Sequence, residues 1–145
     1  MKPYLLDTNV LLALAWPNHV HHRDALSWFR AKGGHGFATC PLTQTGLVRI
    51  SSNPAFTVQA VTPGQALALL TRLMGMQGHR FWPDDLSMPE ACPPDGFLAT
   101  HRQVTDAYLL ALAAAHDGIL ATLDRGIRTL ARNSPERLEL LTGPA

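Results

Sequence analysis

Cysteine is scarce in this chain, and long apolar runs are absent. Only two cysteines, Cys40 and Cys92, occur among 145 residues. Nothing about them requires a disulfide, and their spacing is not that of a metal site. No apolar run approaches the ~20 residues needed to span a bilayer, and no basic segment followed by an apolar run marks a signal peptide. We therefore expect a protein of the reducing cytoplasm that does not enter a membrane.

A surplus of either charge is also missing. The chain has 12 Lys and Arg against 11 Asp and Glu, a formal net charge of +1. Affinity for nucleic acid would therefore have to come from local patches. A content of 46% hydrophobic and 16% charged residues is typical of a folded protein and excludes a disordered one. Without repeats or long linkers, residues 1–145 are predicted to form a single domain.

Short apolar segments alternate with segments of helical periodicity. We predict strands at 4–6, 37–40, 79–82, 119–122 and 138–141, helices at 10–15, 19–32, 41–50, 63–76, 106–116 and 125–132, and a loop at 83–95. This alternation predicts the α/β class, as a three-layer α/β/α sandwich whose central sheet has four to five short, mainly parallel strands.

Three of the predicted helices are preceded by residues that favour a helix start. Asn18 is expected to cap the second helix, and Thr62 with Gln65 has the sequence of a capping box. Thr105 is expected to cap the helix that begins at Asp106. The capping residues and the periodicity therefore agree on where these helices begin.

Three aspartates are predicted to meet at one edge of the sheet. Asp7 ends the first strand, and Asp124 follows the strand at 119–122. If the strands are parallel, both lie at the carboxyl edge, where open α/β folds bind ligands. Asp106 begins the helix that leads into the strand at 119–122, and that helix should start at the same edge. Each acid also has a simpler interpretation, because Asp7 and Asp106 could serve as helix caps and Asp124 could be a turn residue.

A divalent cation would explain why three carboxylates share one place. Packed carboxylates repel one another, and a cation among them keeps them ionised. Oxygen ligands suit Mg²⁺ or Mn²⁺, and neither cysteine nor histidine accompanies these acids, which argues against zinc. The sequence therefore predicts that Asp7, Asp106 and Asp124 bind Mg²⁺ or Mn²⁺ and take part in catalysis.

Two further features lie near these acids in the predicted fold. Gln44 shares a helical face with Leu47 and Val48, so its amide should lie near the core. There it would orient a carboxylate or bind a metal-bound water, or else be an ordinary satisfied amide. Three arginines recur three and four residues apart on one predicted helical face, namely Arg125, Arg128 and Arg132. This face would bind RNA phosphates, or it would simply be solvated.

The chain resembles the PIN domain family, and more narrowly the VapC-type toxins of bacterial toxin–antitoxin pairs. The resemblance rests on three segments in order, namely Leu6-Asp7-Thr8-Asn9-Val10-Leu11-Leu12, Thr105-Asp106-Ala107-Tyr108-Leu109-Leu110-Ala111-Leu112-Ala113 and Thr122-Leu123-Asp124-Arg125-Gly126-Ile127. A fourth segment, Cys40-Pro41-Leu42-Thr43-Gln44-Thr45-Gly46, resembles one VapC-type subgroup.

The resemblance implies a parallel sheet between helices and Mg²⁺- or Mn²⁺-dependent endoribonuclease activity. It also implies homodimerisation and inhibition by a small cognate antitoxin. By position, Asp7, Asp106 and Asp124 would be the metal ligands, and Thr8, Asn9 and Thr105 would support them. Gln44 stands where the family usually has a glutamate, so we expect one well-held cation rather than an equal pair.

The sequence thus predicts the ribonuclease toxin of a type II toxin–antitoxin system, which hydrolyses RNA phosphodiester bonds with metal-activated water. A non-catalytic binding protein of the same fold is the main alternative. A phosphatase of the haloacid dehalogenase type is a weaker one, because that motif needs a second acid two residues after Asp7. Asn9 occupies this position.

Overall fold

A computed structural model describes residues 1–92 and 98–141, and over these residues the chain forms a five-stranded, wholly parallel sheet. The strands are β1 (Tyr4–Leu6), β2 (Phe37–Thr39), β3 (His79–Phe81), β4 (Ile119–Thr122) and β5 (Leu138–Leu140). Their order is β3-β2-β1-β4-β5, which confirms the predicted α/β class and sheet.

The strand order places β1 at the centre and creates a switch point beside it. The chain moves outward from β1 through β2 to β3, then returns to form β4 on the other side of β1. Leu5 of β1 pairs with Ala38 on one side and with Leu120 on the other. Ligands of open parallel sheets bind at the carboxyl ends of the strands where the order reverses, which here is between β1 and β4.

Helices cover both faces of this sheet. Their bounds are α1 (Thr8–Ala15), α2 (His22–Ala31), α3 (Pro41–Ser51), α4 (Pro63–Met74), α5 (Met88–Ala91) and α6 (Val104–Ala115). Short 3₁₀ turns occur at Gly33–His35, His101–Gln103, Arg125–Thr129 and Pro135–Arg137. Within the described ranges, no helix is long and apolar enough to cross a membrane.

Alternation along the strands divides the core into two halves. Leu5 and Leu120 face α6 and pack with Leu109, whereas Leu6 and Phe37 face the helices on the other side. Each fully buried side chain of this size contributes roughly 1.5–3 kcal/mol to stability. The predicted three-layer arrangement is therefore correct, and the three inner strands, β1, β2 and β4, are covered on both faces.

Three predicted helix starts were wrong, and the first helix begins at Thr8 rather than residue 10. The second helix begins at His22 rather than residue 19, because the backbone N–H of His21 donates to Nδ1 of His19 in a turn, 3.0 Å away. Asn18 binds the side chain of Gln59 instead of capping. The last long helix begins at Val104, directly after the 3₁₀ turn at His101–Gln103. Thr105 therefore lies inside its first turn and does not cap it.

The last predicted helix was also wrong, whereas the capping box was confirmed. In place of the predicted helix at 125–132, the chain forms a 3₁₀ helix at Arg125–Thr129, so Arg132 lies beyond it. The Thr62 hydroxyl accepts from the backbone N–H of Gln65 at 3.1 Å, and Gln65 Oε1 accepts from the Thr62 N–H at 2.9 Å. The predicted loop at 83–95 contains the one-turn helix α5, and its last three residues fall outside the described ranges.

The closest packing near the end of β1 involves Gly46 of α3 and Thr8 of α1. A Cβ atom on Gly46 would lie 2.6 Å from the Thr8 hydroxyl and 2.8 Å from its methyl carbon. No side chain fits there unless one helix moves. Glycine at this position therefore sets the separation of α1 and α3 beside Asp7.

We expect Gly46→Ala to lower the free energy of unfolding, although alanine favours helices by about 1 kcal/mol. Overpacking of this kind costs ~1–3 kcal/mol. Urea unfolding measures the change. Gly64→Ala is the matched control, because its Cβ would meet only the Thr62 hydroxyl at 3.9 Å, and we expect no loss. Thr8→Ala combined with Gly46→Ala should restore stability, and failure of this rescue would contradict the packing argument.

Candidate active site

Asp7 is a buried carboxylate at the carboxyl end of the central strand. Only 7% of the residue is exposed. Its Oδ1 accepts from the backbone N–H of Thr8 at 2.7 Å, which makes Asp7 the cap of α1. Its Oδ2 accepts from the hydroxyl of Thr122 at 2.7 Å. Burial raises the pKa of Asp7, these hydrogen bonds oppose the rise, and the nearby charge of Asp124 adds to it.

Thr122 connects the elements of the site, although its role was not predicted from the sequence. It is the last residue of β4 and is fully buried. Besides donating to Asp7, its hydroxyl accepts from Asn9 Nδ2 at 3.2 Å and from the backbone N–H of Asp124 at 3.1 Å. One donated and two accepted bonds use the full capacity of a hydroxyl. The available signal was a polar residue at an inward position of an apolar strand.

Asn9 and Thr8 support Asp7 in different ways. Asn9 Oδ1 accepts from the backbone N–H of Leu123 at 3.2 Å, while its Nδ2 holds Thr122. Asn9 thus fixes the end of β4 against α1 and acts on Asp7 through Thr122. Thr8 contributes its backbone N–H, and its side chain packs against Gly46.

The other two aspartates, Asp106 and Asp124, lie close enough to Asp7 for their charges to interact with its charge. Asp106 is half-buried in the first turn of α6. Burial first, and then the charges of Asp7 and Asp124, raise the pKa of Asp106 to about 6. Asp124 is exposed, and its Oδ1 accepts from the backbone N–H of Gly126 at 2.9 Å. Asp7 and Asp124 therefore serve as caps as well as contributing to a shared negative centre.

The three acids have the charge and the donor atoms that suit a cation, but they are not arranged as a complete coordination shell. Among residues 1–92 and 98–141, no three His, Cys, Asp or Glu side chains are gathered closely enough to hold a metal ion as they stand. The charge of Asp124 nevertheless helps to raise the pKa of Asp7, and the charges of Asp7 and Asp124 help to raise that of Asp106; a bound cation would oppose both effects. Their donor atoms are all carboxylate oxygens, the type that Mg²⁺ and Mn²⁺ prefer.

Gln44 lies toward the other face of the sheet. Its Nε2 donates to the hydroxyl of Thr39 at 2.9 Å and contacts Sδ of Met74 at 3.7 Å. Thr39 follows the alternation of Phe37 and points away from the face that carries Asp7 and Thr122. The contacts of Gln44 favour a satisfied amide over an orienting role. The part of α3 that abuts the end of β1 is Gly46, which brings no side chain.

The arginines lie beyond Asp124, although not on one helical face. Arg125, Arg128 and Arg132 are all exposed. Arg125 and Arg128 are three residues apart in the 3₁₀ turn and so lie on the same side of it. Arg128 and Arg132 line a hollow of about 310 Å³ beside Leu138 and Leu140 of β5. A basic surface therefore borders the acids on the β5 side.

We expect Asp106→Asn to be more stable than the parent protein at pH 7 in EDTA. The pKa of Asp106 rises on folding from 3.8 to about 6, so the folded state binds the extra proton between these values. Stability of the parent must then fall as the pH rises through this window, and the variant lacks this loss. Urea unfolding from pH 3.5 to pH 7.5 measures it.

The difference between Asp106→Asn and the parent should vanish at the acid end of that range. Asp24→Asn, at an exposed carboxylate of α2, is the control and should show no gain at pH 7. Equal stability of Asp106→Asn and the parent at pH 7 would contradict the proposed repulsion among the acids.

Comparison with known proteins finds relatives that are similar over most of the chain. Ribonuclease VapC39 of Mycobacterium tuberculosis is 46% identical over 124 residues, which cover 85% of this chain and 89% of that protein. Ribonuclease VapC38 of the same organism is 45% identical over 139 residues, 95% of this chain and 97% of that protein.

A solved structure and a family match extend the comparison. The crystal structure of VapBC2 from Rickettsia felis bound to a DNA fragment from the promoter has a similar fold, with a TM-score of 0.59 at 14% identity. The match covers 94% of this chain and 97% of that one. The PIN domain family matches residues 4–133. The resemblance found in the sequence is thereby confirmed, and the chain belongs to the PIN domain family.

Proposed function

We propose that this protein is a Mg²⁺- or Mn²⁺-dependent endoribonuclease and the toxin of a type II toxin–antitoxin pair. The observation that carries the proposal is the proximity of the three aspartates at the switch point of the sheet, where the Thr122 hydroxyl binds both Asp7 and the backbone of Asp124, and the charges of these two acids help to raise the pKa of Asp106. The names of the relatives, Ribonuclease VapC38 and VapC39, support ribonuclease activity. RNA as substrate would place the reaction in the cytoplasm.

Asp7, Asp106 and Asp124 would hold the cation. When bound, a divalent ion of this kind lowers the pKa of a water molecule and neutralises charge that develops on a phosphoryl group. Thr122 and the Thr8 N–H keep the Asp7 carboxylate in one orientation. A pKa of about 6 leaves Asp106 mostly ionised at pH 7.

The exposed arginines would bind the RNA backbone next to this centre. Guanidinium groups form paired hydrogen bonds with phosphate oxygens. Arg125 directly follows Asp124, and Arg128 and Arg132 continue the basic surface toward β5. Substrate would thus be held on the side of the acids that lies beyond β4.

We further propose a protein antitoxin as partner and a homodimer as the functional unit. The VapBC2 structure supports the first, since it is the structure of a VapBC pair. The chain also offers an apolar hollow of about 540 Å³ between α1, α2 and α4, flanked by Arg30 and Arg72. A hollow of this size and charge suits an acidic, amphipathic segment of a partner. The homodimer rests on the resemblance alone.

A non-catalytic binding protein of the same fold remains the competing function. The observation in its favour is Gly46, because α3 contributes no acid where it meets the end of β1. Such a protein would bind a partner and cleave no RNA with any divalent cation. The phosphatase alternative has no support from the comparisons, and Asn9 is fully engaged with Thr122 and Leu123.

RNA cleavage with and without Mg²⁺ tests the proposal, with Asp7→Asn and Asp106→Asn as the site variants. Loss of a metal ligand removes several kcal/mol of transition-state stabilisation, so we expect both rates to fall about 100-fold or more. Asp24→Asn should cut like the parent. Site variants that cut as fast as the parent would refute the assignment of these acids. Absence of metal-dependent cleavage in the parent would favour the binding protein.

A further inference from the structure

A third hollow lies at the first turn of α6, the turn that also carries Asp106, on the opposite side from the arginines. It has a volume of about 270 Å³ and is lined by Leu42, Asp84, Met88, Val104, Thr105 and Tyr108. Leu42 belongs to the first turn of α3, which follows β2, and Thr105 directly precedes Asp106. The hollow therefore adjoins the turn of α6 from which Asp106 projects.

The walls of this hollow are apolar and open to solvent. Leu42, Met88 and Val104 are 38%, 41% and 37% exposed, which is unusual for three large apolar side chains around one concavity. Tyr108 is buried and closes the hollow from below. An apolar concavity beside a reaction centre is a typical place for a flat ligand group such as a nucleobase.

Asp84 supplies the polar group of the hollow. Asp84 and Tyr108 line the same hollow, so this carboxylate lies near the phenol. Its neighbour Asp85 is turned elsewhere and contacts Nε2 of His116 at 3.2 Å, whose ring stacks on Trp82. Asp84 accepts a hydrogen bond from the thiol of Cys40, but a carboxylate has about four lone-pair sites and so keeps the capacity to accept from a ligand as well.

We infer that this hollow binds a guanine base of the RNA next to the phosphodiester that is cut. An ionised carboxylate has two acceptor oxygens and no donor. The Watson–Crick edge of guanine presents two adjacent donors, N1–H and the N2 amino group, whereas the other three bases place an acceptor beside each donor. Asp84 would accept both guanine donors while the apolar walls contact the faces of the base. The inference rests on the proposed function.

Binding of uridine oligonucleotides that carry a single guanine, or a single inosine in the same place, tests this inference. Inosine lacks the N2 amino group and so removes one of the two bonds. With EDTA present to prevent cleavage, we expect the parent protein to bind the guanine oligonucleotide about 10-fold more tightly. Asp84→Asn should lose this preference, and Asp85→Asn, the matched control from the same loop, should keep it.

The same oligonucleotides incubated with Mg²⁺ separate this inference from the proposed function. Cleavage that occurs with no preference for guanine, together with equal binding of both oligonucleotides, would overturn the inference and leave the ribonuclease proposal intact. Guanine-selective binding that depends on Asp84, without any cleavage, would support the inference and refute the ribonuclease. A guanine preference unchanged in Asp84→Asn, or no RNA binding at all, would overturn the inference.

Discussion

The buried charge of Asp7 is the constraint on which the rest of the site depends. An ionised carboxylate without compensation costs several kcal/mol in a protein interior. The Thr8 N–H and the Thr122 hydroxyl compensate part of this cost, yet the pKa of Asp7 remains raised. Two further acids nearby increase the unfavourable charge rather than relieving it. A positive ligand is the simplest way for these groups to be stable together.

The order of the strands arranges the surroundings of that charge. Because β1 is central and β4 returns beside it, Asp7 and Asp124 meet at the switch point, and Thr122 ties them together. The hollow with Asp84 lies toward β2 and β3, and the arginines lie toward β5. Taken together, the two proposals describe an RNA strand that crosses the carboxyl edge of the sheet with its scissile phosphate at the acids.

Periodicity and local order were enough to predict the sheet, since β1, β2 and β4 are short apolar runs separated by segments of helical periodicity. Side-chain direction was harder to predict. Gln44 was expected near the acids, but alternation along β2 puts its partner Thr39 on the other face. Thr122 was missed because its role depends on pairing between distant strands. Thr105 was mistaken for a cap because a 3₁₀ turn starts α6 earlier.

We propose that Asp7, Asp106 and Asp124 together form a site for one divalent cation. A crystal of the protein soaked in Mn²⁺ tests it most directly, since anomalous scattering locates manganese without assumptions about the ligands. We expect one strong peak per chain, within coordinating distance of oxygens from all three aspartates. A strong peak elsewhere on the chain, or none at these acids at millimolar Mn²⁺, would contradict the claim.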